Sequence, residues 1–188
     1  MKSKFKQWGR NLLTYLEHNQ GQILKNLLLF AAIVVVMVLT DLLTKQFLFQ
    51  WKAGSDYAGL HQLGGEPYYQ NWFFGIRSVS NSGLTSFGNA LPTGVIHFFN
   101  FIILGACLGF LGFINSKVLI VAIALIFAGT LGNMVDRFAF AGHVRDIIFL
   151  PWADRGTFNL ADVEAVSGSF AAVLGLVTHL IKHLVQNK

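Results

Sequence analysis

Four long apolar runs constrain this chain more than anything else in it, at about Ile23 to Leu39, Val95 to Ile114, Val118 to Val135 and Val163 to Val185. A run of about 18 or more apolar residues, rising 1.5 Å per residue, crosses a hydrocarbon layer of about 30 Å as a helix. No water is present in that layer, so the backbone must satisfy its own N–H and C=O groups, and a helix does so within one segment. In 188 residues the four runs leave room for one helical bundle and two sizeable loops, and for no separate soluble domain. Only 12% of the residues are charged, against a usual share near 25% in soluble proteins.

The charges are distributed unevenly about these runs. Lys2, Lys4, Lys6, Arg10, Lys25, Lys117, Lys182 and Lys188 fall on one side, with Glu17 the single acid there. Lys45, Lys52, Arg77, Arg137, Arg145 and Arg155 fall on the other, among the remaining eight acids. The positive-inside rule therefore puts both termini in the cytoplasm and the loops at about 51–94 and 136–162 outside. Orientation accounts for the net charge of +5, and no nucleic-acid partner is expected. The first run is too long for a secretory signal peptide and lacks a small-x-small cleavage pattern before Thr40-Asp-Leu-Leu-Thr-Lys45. Residues 1–22 are polar, with Trp8, Leu12, Leu13, Tyr15 and Leu16 weakly periodic. They read as an amphipathic segment on the inner surface or as a partly ordered tail, ahead of a single membrane domain over 23–188. Cys107 is the only cysteine, so no intramolecular disulfide forms.

The polar residues of interest gather at the outer ends of the runs. Asp41 and Lys45 are four apart, in the acid-before-base order that favours a pair on one helix face; reaching interfacial water is the alternative. Gly129, Gly132, Asn133 and Asp136 share a face of the third helix, where small residues admit a neighbour's backbone, and Arg137 suits a helix C-terminus. Gly105 and Gly109 in the second run have the same close-packing spacing. Asp146 stands in the otherwise apolar segment Val144 to Leu150, where a carboxylate requires a partner. Asn159 is a good N-cap for the last helix, and Asp162 at the third helical position suits its positive end. Capping accounts for those two residues and leaves Asp146 unexplained.

The first outer loop is rich in Gly54, Gly59, Gly64, Gly65, Gly75, Gly83, Gly88 and Gly94, between Trp51, Tyr57, Tyr68, Tyr69, Trp72, Phe73 and Phe74. Turn glycines between short aromatic runs predict a small antiparallel sheet at headgroup level. Asn81-Ser-Gly83 reads as a turn, and Asn81 is also placed to lend an amide to a site. His179 and His183 have the spacing of a two-histidine metal site but no further ligand nearby, and no metal or other cofactor is expected. Leu104-Gly-Ala-Cys107 mimics a lipid-attachment box, but it lies mid-span.

Asp41-x-x-Thr-Lys45, Asn81-x-Gly83 with Phe87-Gly88, Gly132-Asn133-x-x-Asp136-Arg137, Val144-x-Asp146 and Phe158-Asn159-x-Ala161-Asp162 occur in that order. Together, over roughly residues 25 to 185, the set resembles lipoprotein signal peptidase, also called signal peptidase II. The resemblance implies a bacterial inner-membrane aspartic endopeptidase that removes the signal peptide of diacylglyceryl-modified prolipoproteins, upstream of the lipidated cysteine. It also implies four transmembrane helices with a small extracellular β-sheet cradle. Asp146 and Asp162 match the catalytic pair. Asp41, Lys45, Asn81, Gly83, Asn133, Asp136, Arg137 and Asn159 match supporting or substrate-binding positions. The implied partners are the lipidated prolipoprotein and membrane lipids, and a monomer is expected. Arg145 departs from the pattern, which has an apolar residue before the catalytic aspartate, and the basic stretch ahead of the first span is longer than the pattern requires.

Two carboxylates brought together share a proton and titrate as a unit. A helix N-terminus favours the ionised form of Asp162, which makes it the initial base and Asp146 the initial acid; an inward-pointing Arg145 would reverse the roles. Asp136, within Asn-x-x-Asp-Arg, is the rival for membership of the pair. A small transporter or channel is the alternative function, but it requires polar residues through the middle of the spans, and Ala31 to Val38 and Val121 to Phe127 are almost wholly apolar. A scaffold without activity leaves the clustered acids without a purpose.

Overall fold

A computed structural model describes residues 2–51, 65–83 and 91–186. Lys52, Gly54, Tyr57, Gly59, Gly64, the Phe87-Gly88 motif and Lys188 lie outside the described residues, as do the side chains of His179 and His183. Four helices, α1 (Lys2–Leu48), α2 (Thr93–Leu111), α3 (Lys117–Ala139) and α4 (Leu160–Gln186), each have the length and apolar composition to cross a membrane. Their directions alternate, so the end of α1, the start of α2, the end of α3 and the start of α4 meet at one end of the bundle.

The sequence reads residues 1–22 as a surface segment or a tail ahead of the first span; α1 runs unbroken through both over 47 residues. At 1.5 Å per residue that is about 70 Å, more than twice the thickness of a hydrocarbon core. The far end of the bundle is tied down by Asn26, whose Nδ2 donates to the Ile114 carbonyl (2.7 Å), and by Tyr15 stacked on Phe113. Between the two ends, Phe30 and Val34 of α1 pack with Leu111, Ile120 and Ala124. Large apolar side chains such as Leu28, Phe110, Val166 and Phe170 face outward, as lipid-facing positions should.

The α3–α4 seam is the tightest contact between helices. A Cβ on Gly129 would lie 2.2 Å from the Ala161 carbonyl oxygen and 2.7 Å from the Ala165 nitrogen, and one on Gly168 would lie 2.7 Å from the Ala122 oxygen. Only glycine fits at such backbone separations. Gly105 and Gly109 do not serve this purpose: nothing described lies within 4 Å of a Cβ there, because α2 turns Leu104, Cys107 and Leu111 inward and these glycines away.

Over the convergent end lies a four-stranded antiparallel sheet in the order β1 (Tyr69–Gln70), β2 (Gly75–Asn81), β3 (Val144–Phe149), β4 (Thr157–Phe158). The sequence places a sheet in the first loop alone; half of its strands come from the second. The apolar run Val144 to Phe149, almost wholly buried, is a central strand rather than a loop. Tyr68 donates its hydroxyl to the Leu48 carbonyl, and the Gln50 N–H donates to Ser78 Oγ (2.7 Å), fastening the sheet to α1. Arg77 clamps the far edge, with a two-pronged pair to Asp154 at 2.6 and 2.9 Å and a bond from Nε to Thr157 Oγ1.

α3 ends in a left-handed residue, Ala141 (φ 50°), followed by Gly142 (φ 91°), whose N–H returns to the Arg137 carbonyl at 2.8 Å. This six-to-one bond closes the helix and turns the chain into β3 within a few residues.

Candidate active site

The start of α4 is built by reciprocal capping. The Asn159 side chain accepts from the Asp162 N–H (3.0 Å), and Asp162 Oδ2 accepts from the Asn159 N–H (3.2 Å). This exchange satisfies two backbone donors and fixes both side chains. A third donor, the Ala161 N–H, is taken by Asp41 Oδ1 of α1 at 2.9 Å. Asp41 and Lys45 therefore do not reach water; both are fully buried, paired at 2.7 Å, and Asp41 spans two helices. Gly132 leaves the space for it, since a Cβ there would lie 2.6 Å from Asp41 Oδ2.

On the sheet, Asn81 pairs with Val144, and Asp146 is the next residue on the same face of β3. Diagonal neighbours across two strands are within side-chain reach, and Asn81 Nδ2 donates to Asp146 Oδ2 at 2.9 Å. Both readings of Asn81 hold together, because its Oδ1 accepts from the N–H of Gly83 (3.0 Å), which has φ 147° and is suited to a turn of this kind.

Two asparagines join the halves. Asn159 Nδ2 donates to Asp146 Oδ1 (2.7 Å) and to Asn133 Oδ1 (3.0 Å), while Asn133 Nδ2 donates to Asp162 Oδ1 (2.8 Å). Lys45 Nζ also donates to Asn133 Oδ1 at 3.1 Å, which fixes that amide's orientation. Asp146 and Asp162, sixteen positions apart in the sequence, thus hang from one continuous set of bonds.

Strand alternation resolves the departure at Arg145. Its side chain leaves β3 on the face opposite Asp146 and meets Asp136, with Nη2 to Oδ1 at 2.8 Å, and its backbone N–H also binds Asp136 Oδ2 at 2.9 Å. The guanidinium lies over the Phe140 ring, 4.4 Å from its centre. Asp136, fully buried between Arg145 and Lys45 (3.5 Å), is the hub of an ion cluster and forms no hydrogen bond with either Asp146 or Asp162 among those described. Arg137 donates to its own helix at the Asn133 carbonyl (3.4 Å) and stands within electrostatic reach of Asp146, Asp162 and Asp136; its buried Nε has no hydrogen-bond partner among the described residues.

Burial pushes the Asp146 carboxyl up to about 7, and the negative charge of Asp162 pushes it the same way. The amides of Asn81 and Asn159 and the charge of Lys45 oppose the rise without cancelling it. Asp162 is half-buried and opens into an apolar groove of about 500 Å³ that runs along α4 past Phe158, Val163, Val166 and Phe170. One acid is thus sealed and the other borders a groove. The arrangement sets two carboxyl groups, bridged by Asn133 and Asn159, within electrostatic reach of each other beside an apolar slot.

All ten residues that the sequence singles out lie at this end. Glu164, which the sequence reading passes over, is buried here too at 2% exposure. Its signal is a lone acid one turn after Ala161 on the inward face of an apolar helix. Among the described residues, no three of His, Cys, Asp and Glu are grouped to hold a metal ion.

Comparison with known proteins adds the following. The chain is 38% identical over 65 residues to the lipoprotein signal peptidase of Pseudomonas fluorescens, covering 33% of this chain and 38% of that protein. It is 32% identical over 66 residues to that of Clostridium tetani, covering 34% and 42%. The alignments thus span less than half the length of these curated relatives. Among solved structures, one described as a bacterial membrane enzyme at 2.3 Å resolution superposes with a TM-score of 0.64 at 26% identity, over 79% of this chain and 87% of that one. A second, at 1.9 Å, gives the same TM-score at 27% identity, over 78% and 91%. The family model described as Signal peptidase (SPase) II matches residues 33–178, which include every residue of the bonded network just described, and the chain belongs to the signal peptidase II family.

Proposed function

We propose that this protein is an aspartic endopeptidase that removes the signal peptide from diacylglyceryl-modified prolipoproteins, cutting before the lipidated cysteine, with Asp146 and Asp162 as its catalytic pair. The observation that carries the reading is the pair itself: two carboxyl groups from separate elements, one raised to about 7 beside the other, joined through Asn133 and Asn159.

In the resting site one proton is shared, held on Asp146 while Asp162 is ionised. Arg145 does not reverse this assignment, because its charge is spent on Asp136. A water enters between the pair and attacks the scissile carbonyl carbon; Asp162 takes its proton while Asp146 gives its own to the carbonyl oxygen. In the second step Asp162 passes its proton to the peptide nitrogen, Asp146 recovers one from the diol, and the C–N bond breaks. The cysteine nitrogen becomes a free amine, and the pair again holds one proton. Arg137 supplies positive charge beside the carbonyl, and Asn81, Gly83, Asn133 and Asn159 hold the geometry. Asp41, Lys45 and Asp136 anchor the helices that carry it.

The groove along α4 is suited to the apolar signal segment, which stays in lipid while the scissile bond meets water. In this reading the termini are cytoplasmic, the site lies near the outer face of the bacterial membrane, and one chain suffices. The test is cleavage of a lipidated precursor by purified protein carrying Asp146→Asn, Asp162→Asn or Asp136→Asn, alongside an unlipidated precursor. Loss of about 10² to 10⁴ in rate is expected for the first two in a folded protein, with the lipidated substrate strongly preferred. Near-normal cleavage by Asp146→Asn would sink the assignment.

A further inference from the structure

Glu164 is the acid that no pairing described above accounts for. It lies three residues after Ala161, whose N–H binds Asp41, and so points to the same side of α4. It is 2% exposed, and neither of its carboxyl oxygens has a hydrogen-bond partner among the described residues. From α1 it is within electrostatic reach of Asp41 and Lys45. From α3, Asp136 bears on the same Lys45 at 3.5 Å, and on α4 itself Asp162 stands two residues earlier, against the groove.

Around the bonded network, among the described residues, stand five acids, Asp41, Asp136, Asp146, Asp162 and Glu164, and three cations, Lys45, Arg137 and Arg145, while Arg77 in the sheet is balanced by Asp154. An uncompensated charge in such surroundings is costly, and neutrality requires two protons on the five acids. One is shared by the pair. Asp41 and Asp136 each accept charged and backbone donors, which leaves Glu164, with no donor on either oxygen among the described residues, to carry the second.

We propose that Glu164 is a positioning residue that acts through Lys45: as a neutral acid it leaves Lys45 to Asp41, Asn133 and Asp136, and when its proton passes to water the new carboxylate competes for Lys45 and loosens the asparagine that holds Asp162. Its effect on cleavage rests on the aspartic-protease reading; its protonation does not.

The experiment combines infrared spectroscopy of the full chain in lipid with the pH profile of kcat/KM on a lipidated precursor, for wild type, Glu164→Gln and Glu164→Met. The wild type should show, at neutral pH, carbonyl absorption from two buried neutral carboxylic acids, Asp146 and Glu164, of which the Glu164 part is lost in both variants and the Asp146 part in Asp146→Asn. Its activity should fall on the alkaline side with two ionisations, and that of the variants with one. Glu164→Met, which needs no hydrogen-bond partner, serves if Glu164→Gln folds poorly. Carbonyl absorption undiminished in the variants, or an alkaline limb of unchanged steepness in a variant that cuts, overturns the proposal. Should Asp146→Asn remain active while the absorption still depends on Glu164, the protease reading fails and the protonation of Glu164 stands.

Discussion

Asp146 and Asp162 have identical side chains and dissimilar surroundings, and in the proposed reaction that difference gives each its task. Asp146 is pushed up to about 7 because it is sealed under the sheet beside another negative charge. In the proposed reaction it donates to the carbonyl and must carry its proton, so activity should be full just below that value, where Asp162 is still ionised, and fall as pH rises through about 7. A kcat/KM profile measures this. The two amides that bind its oxygens favour the charged form, so deleting one raises the value further. Asn81→Ala should therefore move the alkaline limb up by about one unit while lowering the plateau. A limb that moves down would mean that Asn81 contacts the pair in some other way. The alternation at Arg145 belongs to this scale as well: a cation adjacent to Asp146 in sequence faces the opposite side of the strand and serves Asp136.

At the scale of elements, the site depends on how α4 is seated. Gly129→Ala would force a Cβ to within 2.2 Å of the Ala161 carbonyl, in the turn that presents Asp162. A loss of about 1–3 kcal/mol in stability is expected, with a fall in activity larger than that of Gly105→Ala, which meets open space. Thermal melting in detergent and cleavage assays separate the two. The end of α3 gives a prediction of opposite sign, because Ala141 occupies the left-handed region at φ 50°, where a side chain costs about 1 kcal/mol or more. Ala141→Gly should raise the melting temperature.

The four spans, the α3 face of Gly129, Gly132, Asn133 and Asp136, and the cap at Asn159 were legible in the sequence, because helical spacing places such residues together whatever surrounds them. The pairing of the two outer loops into one sheet was not. Strand partners are chosen by contacts between distant segments, and Val144 to Phe149 is buried on both faces, with one charged residue on each, so it carries no alternation to mark it. Glu164 is overlooked for a related reason: its local trace is a single acid in an apolar helix, and its burial depends on the approach of α1.

For the molecule as a whole, the site and its supports begin at Asp41 and the family match begins at residue 33, while α1 starts at Lys2. Removing residues 1–20 takes away exposed helix and the Tyr15–Phe113 stack but spares the Asn26 anchor. Cleavage in lipid vesicles should persist within about threefold; a larger loss would give the extension a part in the reaction. The seam of Gly129 and Gly168 bears on how this chain can change over generations. Where main chain rests against main chain, the gap between the reacting groups is set by peptide geometry rather than by the bulk of any side chain. Outward-facing positions such as Leu28 and Phe110 can then exchange one hydrocarbon for another without altering the calibre of the proposed reaction centre, whereas a single added methyl at the seam alters it at once.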